Sequence, residues 1–414
     1  MAPGPDGSLY VSIPVRTGPT VLALLDRSGR PRPGWPIAIK PATSCGTPMP
    51  VDDGSVRVVC TLRSTPVGGW FSRMGAFAFD SDGRMLAGWP VELLGYGFTG
   101  RVLDDDLVLF AHWPLGEVVE DGQPPSEDGL VTISADGALR KGVRGQMGVT
   151  CCGDAWAVGP DGIAYGVGWP DDATSRITAV DFAGGPLSGW PVSIDDIGSV
   201  PAFGSGGQIV VTVGNAVRGP SRVSVLSPDG KAVSSGALPI ATVERTGDTG
   251  GCSVRSPQAP LVSRNGTTFV YSELDTSIYA LDPSLAIAPG WPYEPVTTLA
   301  TARPGYEYEH EAGYCPVPVI PAVGPDGTLY LPLVARSSTV GGSLVAVGAD
   351  ARVVPGWPVG LQRPGAEFWS VVVGSGGAAY ALAIEPESGD KSSASILAIA
   401  PDSTVRWTTT IIDP

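Results

Sequence analysis

The densest set of residues able to do chemistry is Arg303-Pro304-Gly305-Tyr306-Glu307-Tyr308-Glu309-His310-Glu311-Ala312-Gly313-Tyr314-Cys315. Alternating tyrosines and glutamates offer stacking faces and carboxylates to a sugar, a cation or a basic peptide. Tyr306, Glu307, Tyr308, Glu309, His310, Glu311 and Tyr314 are therefore candidate ligand-binding residues. Glu309, His310 and Glu311 are metal-ligand types. Consecutive residues diverge, however, and the other histidine of the chain is the distant His112, so no metal site is assigned. A second segment, Thr242 to Arg255, adds Arg245 and Asp248 as candidates, beside Glu244 and Cys252. A third, Ala111 to Asp128, holds His112, Trp113, Glu117, Glu120, Asp121, Glu127 and Asp128. The chain contains no Gly-x-Ser-x-Gly elbow, phosphate-binding glycine loop or His-Glu-x-x-His helix motif. No catalytic residue is named on this basis. The acidic runs Asp52-Asp53, Asp104-Asp105-Asp106 and Asp80-Ser81-Asp82-Gly83 lack the bidentate glutamate of a calcium loop and read as turn chemistry. Asn265-Gly266-Thr267 fits a glycosylation acceptor but occupies a tight turn.

These segments need a scaffold, and an internal repeat supplies it. Gly-Trp-Pro occurs five times, at Trp35, Trp89, Trp190, Trp291 and Trp357. In the first four an aspartate stands nine residues upstream, at Asp26, Asp80, Asp181 and Asp282. Hairpin turns open eight units, at Asp6-Gly7, Asp53-Gly54, Asp105-Asp106, Asp161-Gly162, Gly206-Gly207, Asn265-Gly266, Asp326-Gly327 and Gly376-Gly377. A second turn follows in each, from Ser28-Gly29 to Pro401-Asp402. Two hairpins in about 52 residues make four strands, the content of one propeller blade. The spacing thus predicts an all-β, eight-bladed β-propeller of four-stranded antiparallel blades, forming one domain over 1–414. Blades are expected near 1–44, 45–98, 99–146, 147–197, 198–252, 253–315, 316–367 and 368–414. Trp-Pro should open the fourth strand, where an edge tolerates proline. Leu238-Pro239 replaces it in blade 5, Trp407 alone remains in blade 8, and blade 3 has lost it. One indole per blade is a packing device, with its N–H satisfied by a repeated backbone carbonyl. The connections between blades, and between second and third strands, share the face where the three polar segments fall.

Composition excludes several classes. The chain has 414 residues, 43% hydrophobic and only 16% charged, with 57 glycines and 41 prolines, as short strands and tight turns require. No apolar run reaches membrane-spanning length. The net charge of −15, with four lysines, makes nucleic acid a poor partner. A monomer is expected. Among six cysteines, a hairpin centred on Asp52-Asp53 sets Cys45 opposite Cys60, which predicts a disulfide. Cys252 and Cys315 could join neighbouring loops, and the adjacent Cys151 and Cys152 could form a vicinal bridge. Six cysteines allow fifteen connectivities, so these remain open. Disulfides imply an oxidising compartment: secreted, periplasmic or cell-surface. Met1-Ala2-Pro3-Gly4-Pro5-Asp6 is not a signal peptide, and its closeness to the first turn suggests a trimmed N-terminus.

The repeats resemble those of the quinoprotein-like (PQQ-type) propellers. The resemblance lies in Ala78-Phe79-Asp80, Ala179-Val180-Asp181 and Ala280-Leu281-Asp282, the glycines Gly83 and Gly184, and the tryptophans Trp89, Trp190 and Trp291. It covers the whole chain at repeat level and implies eight blades. The Asp-to-Trp spacing is one residue longer than that family's, and the added proline is similar to a variant in bacterial secreted and surface propellers. Family dehydrogenases set an adjacent-cysteine disulfide beside a quinone, which Cys151-Cys152 matches. They also hold calcium through carboxylates and amides, whereas asparagine occurs here only as Asn215 and Asn265. The expectation is a non-enzymatic binding or scaffold propeller without a cofactor, taking a protein or carbohydrate ligand. The alternatives are a dehydrogenase using pyrroloquinoline quinone and calcium, or a carbohydrate-active enzyme relying on Glu307, Glu309 and Glu311.

Overall fold

A computed structural model describes residues 1–13, 19–62, 72–95, 100–111, 129–144, 156–168, 174–181, 185–215, 219–239, 258–272, 275–296, 301–302, 317–318, 321–335, 339–386 and 392–411. The fold is all-β, and its eight successive antiparallel sheets are the blades of a β-propeller fold. No helix among the described residues is long and apolar enough to cross a membrane. Two compact units divide the chain: Met1–Asp196 with Pro228–Lys231, and Ile197–Ser227 with Ala232–Pro414.

The first unit holds four blades. Blade 1 is Ala2–Pro3, Leu9–Ile13, Thr20–Leu25 and Ile37–Ile39, hydrogen-bonded in chain order. Blade 2 breaks its first strand into Ala42–Cys45 and Met49–Pro50, both paired with Val56–Leu62, and continues through Ser72–Phe79 to Val91–Gly95. Gly100–Leu103, Asp106–Ala111, Gly129–Ile133 and Leu139–Arg144 make blade 3. In blade 4, Trp156–Val158, Ala164–Gly168 and Thr174–Asp181 are followed by a divided fourth strand, Gly185–Pro186 and Val192–Asp195.

The second unit repeats the plan. Blade 5 sets Ile197–Gly198 and Ala202–Phe203 on Ile209–Asn215, then adds Gly219–Leu226 and Ala232–Ala237. Blade 6 has Leu261–Val262, Thr268–Tyr271 and Ile278–Leu281, its fourth strand reduced to a bridge between Ile278 and Tyr293. Thr301–Ala302 and Val317–Pro318 pair separately. Blade 7 is Ala322–Val323, Leu329–Leu333, Ser343–Val347 and Val359–Gly360. Blade 8 is Glu367–Val373, Ala379–Pro386, Ser392–Ile399 and Val405–Ile411.

Alternation explains how one strand serves two cores, because successive side chains leave opposite faces. Val56, Val58, Cys60, Phe77 and Phe79 of blade 2 pack on Tyr10, Leu22, Leu24 and Trp35 of blade 1. Their sequence neighbours Val59, Ala76 and Ala78 turn the other way, onto Leu107, Leu109, Val131 and Ile133 of blade 3. In the second unit, Phe269, Ile278, Ala280 and Trp291 meet Leu329, Leu331, Val345 and Val347. Where both faces are covered, as in Thr20–Leu25 and Leu329–Leu333, the strand reads as a near-continuous apolar run.

All eight opening turns carry positive φ where the sequence places them, including Gly7 (77°), Gly54 (82°) and Gly377 (77°). Blade 3 does this without glycine, at Asp104 (47°) and Asp105 (69°). The second turns likewise reach positive φ at Gly29, Gly83, Gly137, Gly185 and Gly230, and at the non-glycines Leu285, Ala351 and Ser403.

Cys45 and Cys60 are joined by a disulfide and lie directly opposite in the ladder. The register near the turn differs from the sequence expectation. Met49 pairs with Arg57 and Pro50 with Val56, which centres the hairpin half a residue later. One extra residue between Cys45 and Met49 absorbs the offset, with the Gly46 N–H donating to the Val59 carbonyl at 2.9 Å.

Candidate functional site

The candidate ligand residues Tyr306, Glu307, Tyr308, Glu309, His310, Glu311 and Tyr314 lie outside the described residues, as do Arg245, Asp248, Cys151, Cys152, Cys252 and Cys315. What the structure describes is the machinery that flanks them.

Each Gly-Trp-Pro acts as a latch. The five Trp-Pro bonds are cis, and each tryptophan N–H closes a turn on the carbonyl three residues back, as Trp35 does on Arg32 at 3.0 Å. The indole then enters the core; all five tryptophans are 6–7% exposed. Its Nε1–H donates to a backbone carbonyl in another blade's second turn: Trp35 to Ser81 (2.9 Å), Trp89 to Ala135 (3.1 Å), Trp291 to Ala349 (2.9 Å) and Trp357 to Pro401 (3.0 Å). Trp190 donates to Pro228 at 3.0 Å, within the first unit. The glycine is required on two grounds. At Gly34 φ is +82°, and a β-carbon there would run into the Asp82 carbonyl.

A second repeated contact was not anticipated from the sequence. In four blades the residue three places after the opening turn's last positive-φ residue meets that blade's tryptophan edge-on: Tyr10 with Trp35 (6.1 Å), Tyr165 with Trp190 (5.4 Å), Phe269 with Trp291 (5.4 Å) and Tyr330 with Trp357 (5.4 Å). Tyr380 approaches Trp407 at 6.0 Å in blade 8. Blades 3 and 5 lack the motif tryptophan and carry Val108 and Val210 at that strand position. The pairwise presence of the two aromatics was visible in the sequence, once strands were aligned on their turns.

Blade 2 departs from this rule, with Arg57 in the aromatic position. Its guanidinium lies 5.5 Å from the Trp89 ring centroid, so a cation–π contact replaces the edge-on pair. Arg57 is 2% exposed. Its Nη1 donates to Ser55 Oγ at 2.9 Å, while Nε has no hydrogen-bond partner. Burial lowers its pKa from the ordinary arginine value, and attraction to Asp53 and Asp105 opposes that.

The turn aspartates are engaged by their own backbone. Asp26 Oδ1 accepts from Ser28 N (2.8 Å), Ser28 Oγ (2.7 Å) and Arg30 N (2.9 Å). Asp80 and Asp282 accept from the N–H groups two and four residues on. Asp6, Asp53, Asp136, Asp161, Asp326, Asp350 and Asp402 each accept from the N–H two residues on. Hydrogen bonds to the charged form hold Asp26, Asp53, Asp136, Asp282 and Asp402 below the usual carboxylate range, and Asp6 at about 2. Asn265 does the same work uncharged, accepting from Thr267 N at 3.3 Å. Among the described residues no group of three or more His, Cys, Asp or Glu could hold a metal ion.

No family model matches the chain, and no curated protein matches it. It is similar to several solved structures at low identity. Virginiamycin B lyase from Staphylococcus aureus is 13% identical over 75% of this chain and 83% of that one, with a TM-score of 0.45. A eukaryotic initiation factor is 11% identical over 98% and 96%, at 0.47. A gluconolactonase from Xanthomonas campestris is 12% identical over 78% and 94%, at 0.35. At these values none of them lends this chain an activity, a ligand or a partner.

Proposed function

We propose that the protein is a binding or scaffold propeller of an extracytoplasmic compartment, with its PQQ-type likeness confined to the repeat. One observation carries this reading: the recurring indoles and turn carboxylates are engaged in building blades. The residues left for recognition are then those that break the repeat, densest in Tyr306–Tyr314 and joined by Arg245 and Asp248. Aromatic faces interleaved with carboxylates suit a carbohydrate or a protein segment bearing cations. The Cys45–Cys60 disulfide supports an oxidising compartment.

Screening the chain against glycans and basic peptides identifies the ligand class. The variant Tyr306→Ala/Tyr308→Ala/Glu309→Ala should then bind at least about tenfold more weakly. Unchanged affinity would move the site elsewhere. Dye reduction with alcohols or sugars after adding pyrroloquinoline quinone and calcium would replace the scaffold reading with a dehydrogenase.

A further inference from the structure

Eight tryptophans lie among the described residues, and seven are engaged in the fold. The five latch indoles each donate to a backbone carbonyl. Trp156 is 2% exposed, and its ring covers Gly166, where a β-carbon would collide with it. Trp407 meets Tyr380. Trp369 is the exception. It is partly exposed, and among the described residues it has neither a ring contact nor a side-chain hydrogen bond.

Its backbone position sets it apart as well. In blade 8 the ladder passes from Phe368 opposite Ala383 to Ser370 opposite Leu382, so Trp369 is an extra residue with no partner across the ladder. Phe368 and Val371 enter the core between blades 7 and 8, whereas Trp369 stays out of it. A bulge re-aims a side chain and is over-represented beside functional sites. Glu367, two residues before, leaves the same side of the strand. It is partly exposed and has no hydrogen bond or ion pair among the described residues. Glu385, which follows the ladder partner of Glu367, is instead paired with Arg363 at 3.4 Å. Glu367 and Trp369 stand where the first strand of blade 8 begins, hence on the side that carries the connections between blades. Thr301–Ala302 lies against this strand. The segment containing Tyr306, Tyr308 and Glu309 leaves from Ala302 and returns at Val317.

We propose that Trp369 and Glu367 form a carbohydrate subsite, in which a sugar ring stacks on the indole while its hydroxyls bond the carboxylate and the indole N–H. This rests on the reading of the protein as a binding propeller and names its ligand class. The apolar face of a pyranose suits an aromatic face. Sugar hydroxyls both donate and accept, so they satisfy an acceptor-only carboxylate and a donor-only N–H together. A lysine or arginine side chain would pair with Glu367 but leave the indole N–H unused, which disfavours a basic peptide here.

The probes are neutral hexasaccharides of glucose, N-acetylglucosamine, mannose and xylose, and a lysine-rich peptide. Wild type should bind at least one hexasaccharide in isothermal titration, and Trp369→Ala should bind it at least about tenfold more weakly. Trp369→Phe keeps a stacking face and should stay within about threefold of wild type. In unaltered protein the bound saccharide should shield Trp369 from N-bromosuccinimide, while the partly exposed Trp407 is oxidised as before; peptide mass spectrometry reads both. This second measurement holds whether or not the variants fold. A hexasaccharide that binds without shielding Trp369 overturns the subsite, as does a Trp369→Ala variant that binds like wild type. If Tyr306→Ala/Tyr308→Ala/Glu309→Ala then still loses the saccharide, the binding propeller stands without this subsite. Binding of the peptide alone overturns the carbohydrate assignment and leaves the binding role intact. Binding of neither probe class removes both the subsite and the reading beneath it.

Discussion

The glycine of each Gly-Trp-Pro faces a constraint that its neighbours do not. Gly34 combines positive φ with the Asp82 carbonyl where a β-carbon would stand, whereas Gly185 has φ of +101° and nothing within 4 Å. Gly185→Ala should therefore cost only the backbone penalty of about 1–2 kcal/mol. Gly34→Ala should cost clearly more, because the turn of the next blade must also move, and denaturant titration of the pair separates the two terms. The opposite change is available at Ala351, a non-glycine at φ of +60°. Ala351→Gly relieves the left-handed penalty but loosens the unfolded chain, so a net gain of about 0.5–1 kcal/mol is expected in the same titration. Arg57 marks the limit of reading residues singly. In sequence it is one arginine on a strand, and only alignment to Tyr10, Tyr165, Phe269 and Tyr330 shows that it occupies an aromatic position.

At the level of elements, the hairpin turns couple stability to pH. Asp6, Asp26, Asp53, Asp136, Asp282 and Asp402 titrate lower in the folded chain than in the unfolded one, so their stabilisation is complete above the unfolded value near 4. It is lost as pH falls through the folded values, with Asp6 last at about 2. Unfolding midpoints should hold steady above about pH 5 and fall steeply between about pH 4 and pH 2. A flat profile through that window would mean that the unfolded chain retains the turns. Blade 2 has its own restraint. The Cys45–Cys60 bridge closes a 15-residue separation and pins a first strand that a bulge has already divided. Replacing both cysteines by serine should cost about 3 kcal/mol, read as a lower denaturation midpoint, and a reductant should lower wild type more than this variant.

For the whole molecule, repetition separates stability from recognition. The tryptophan latches and turn carboxylates recur from blade to blade, while Tyr306, Tyr308 and Glu309 fall in a segment that the repeat does not explain. The triple alanine variant should accordingly lose ligand while keeping its thermal midpoint. A large drop in that midpoint would assign those residues to the scaffold instead.

The sequence by itself determined the all-β class, the eight units, the positions of the turns and the pairing of Cys45 with Cys60. These depend on local geometry: Asp-Gly and Gly-Gly bend the chain, alternation sets the faces, and spacing from a turn sets the register. Tertiary structure decided what each repeated residue touches. Nothing in the chain order says that Trp35 donates to Ser81, that Gly34 lies against Asp82, or that Arg57 covers Trp89. Those partners stand some 30 to 50 positions apart and meet only because neighbouring blades pack face to face, information that local propensity does not contain.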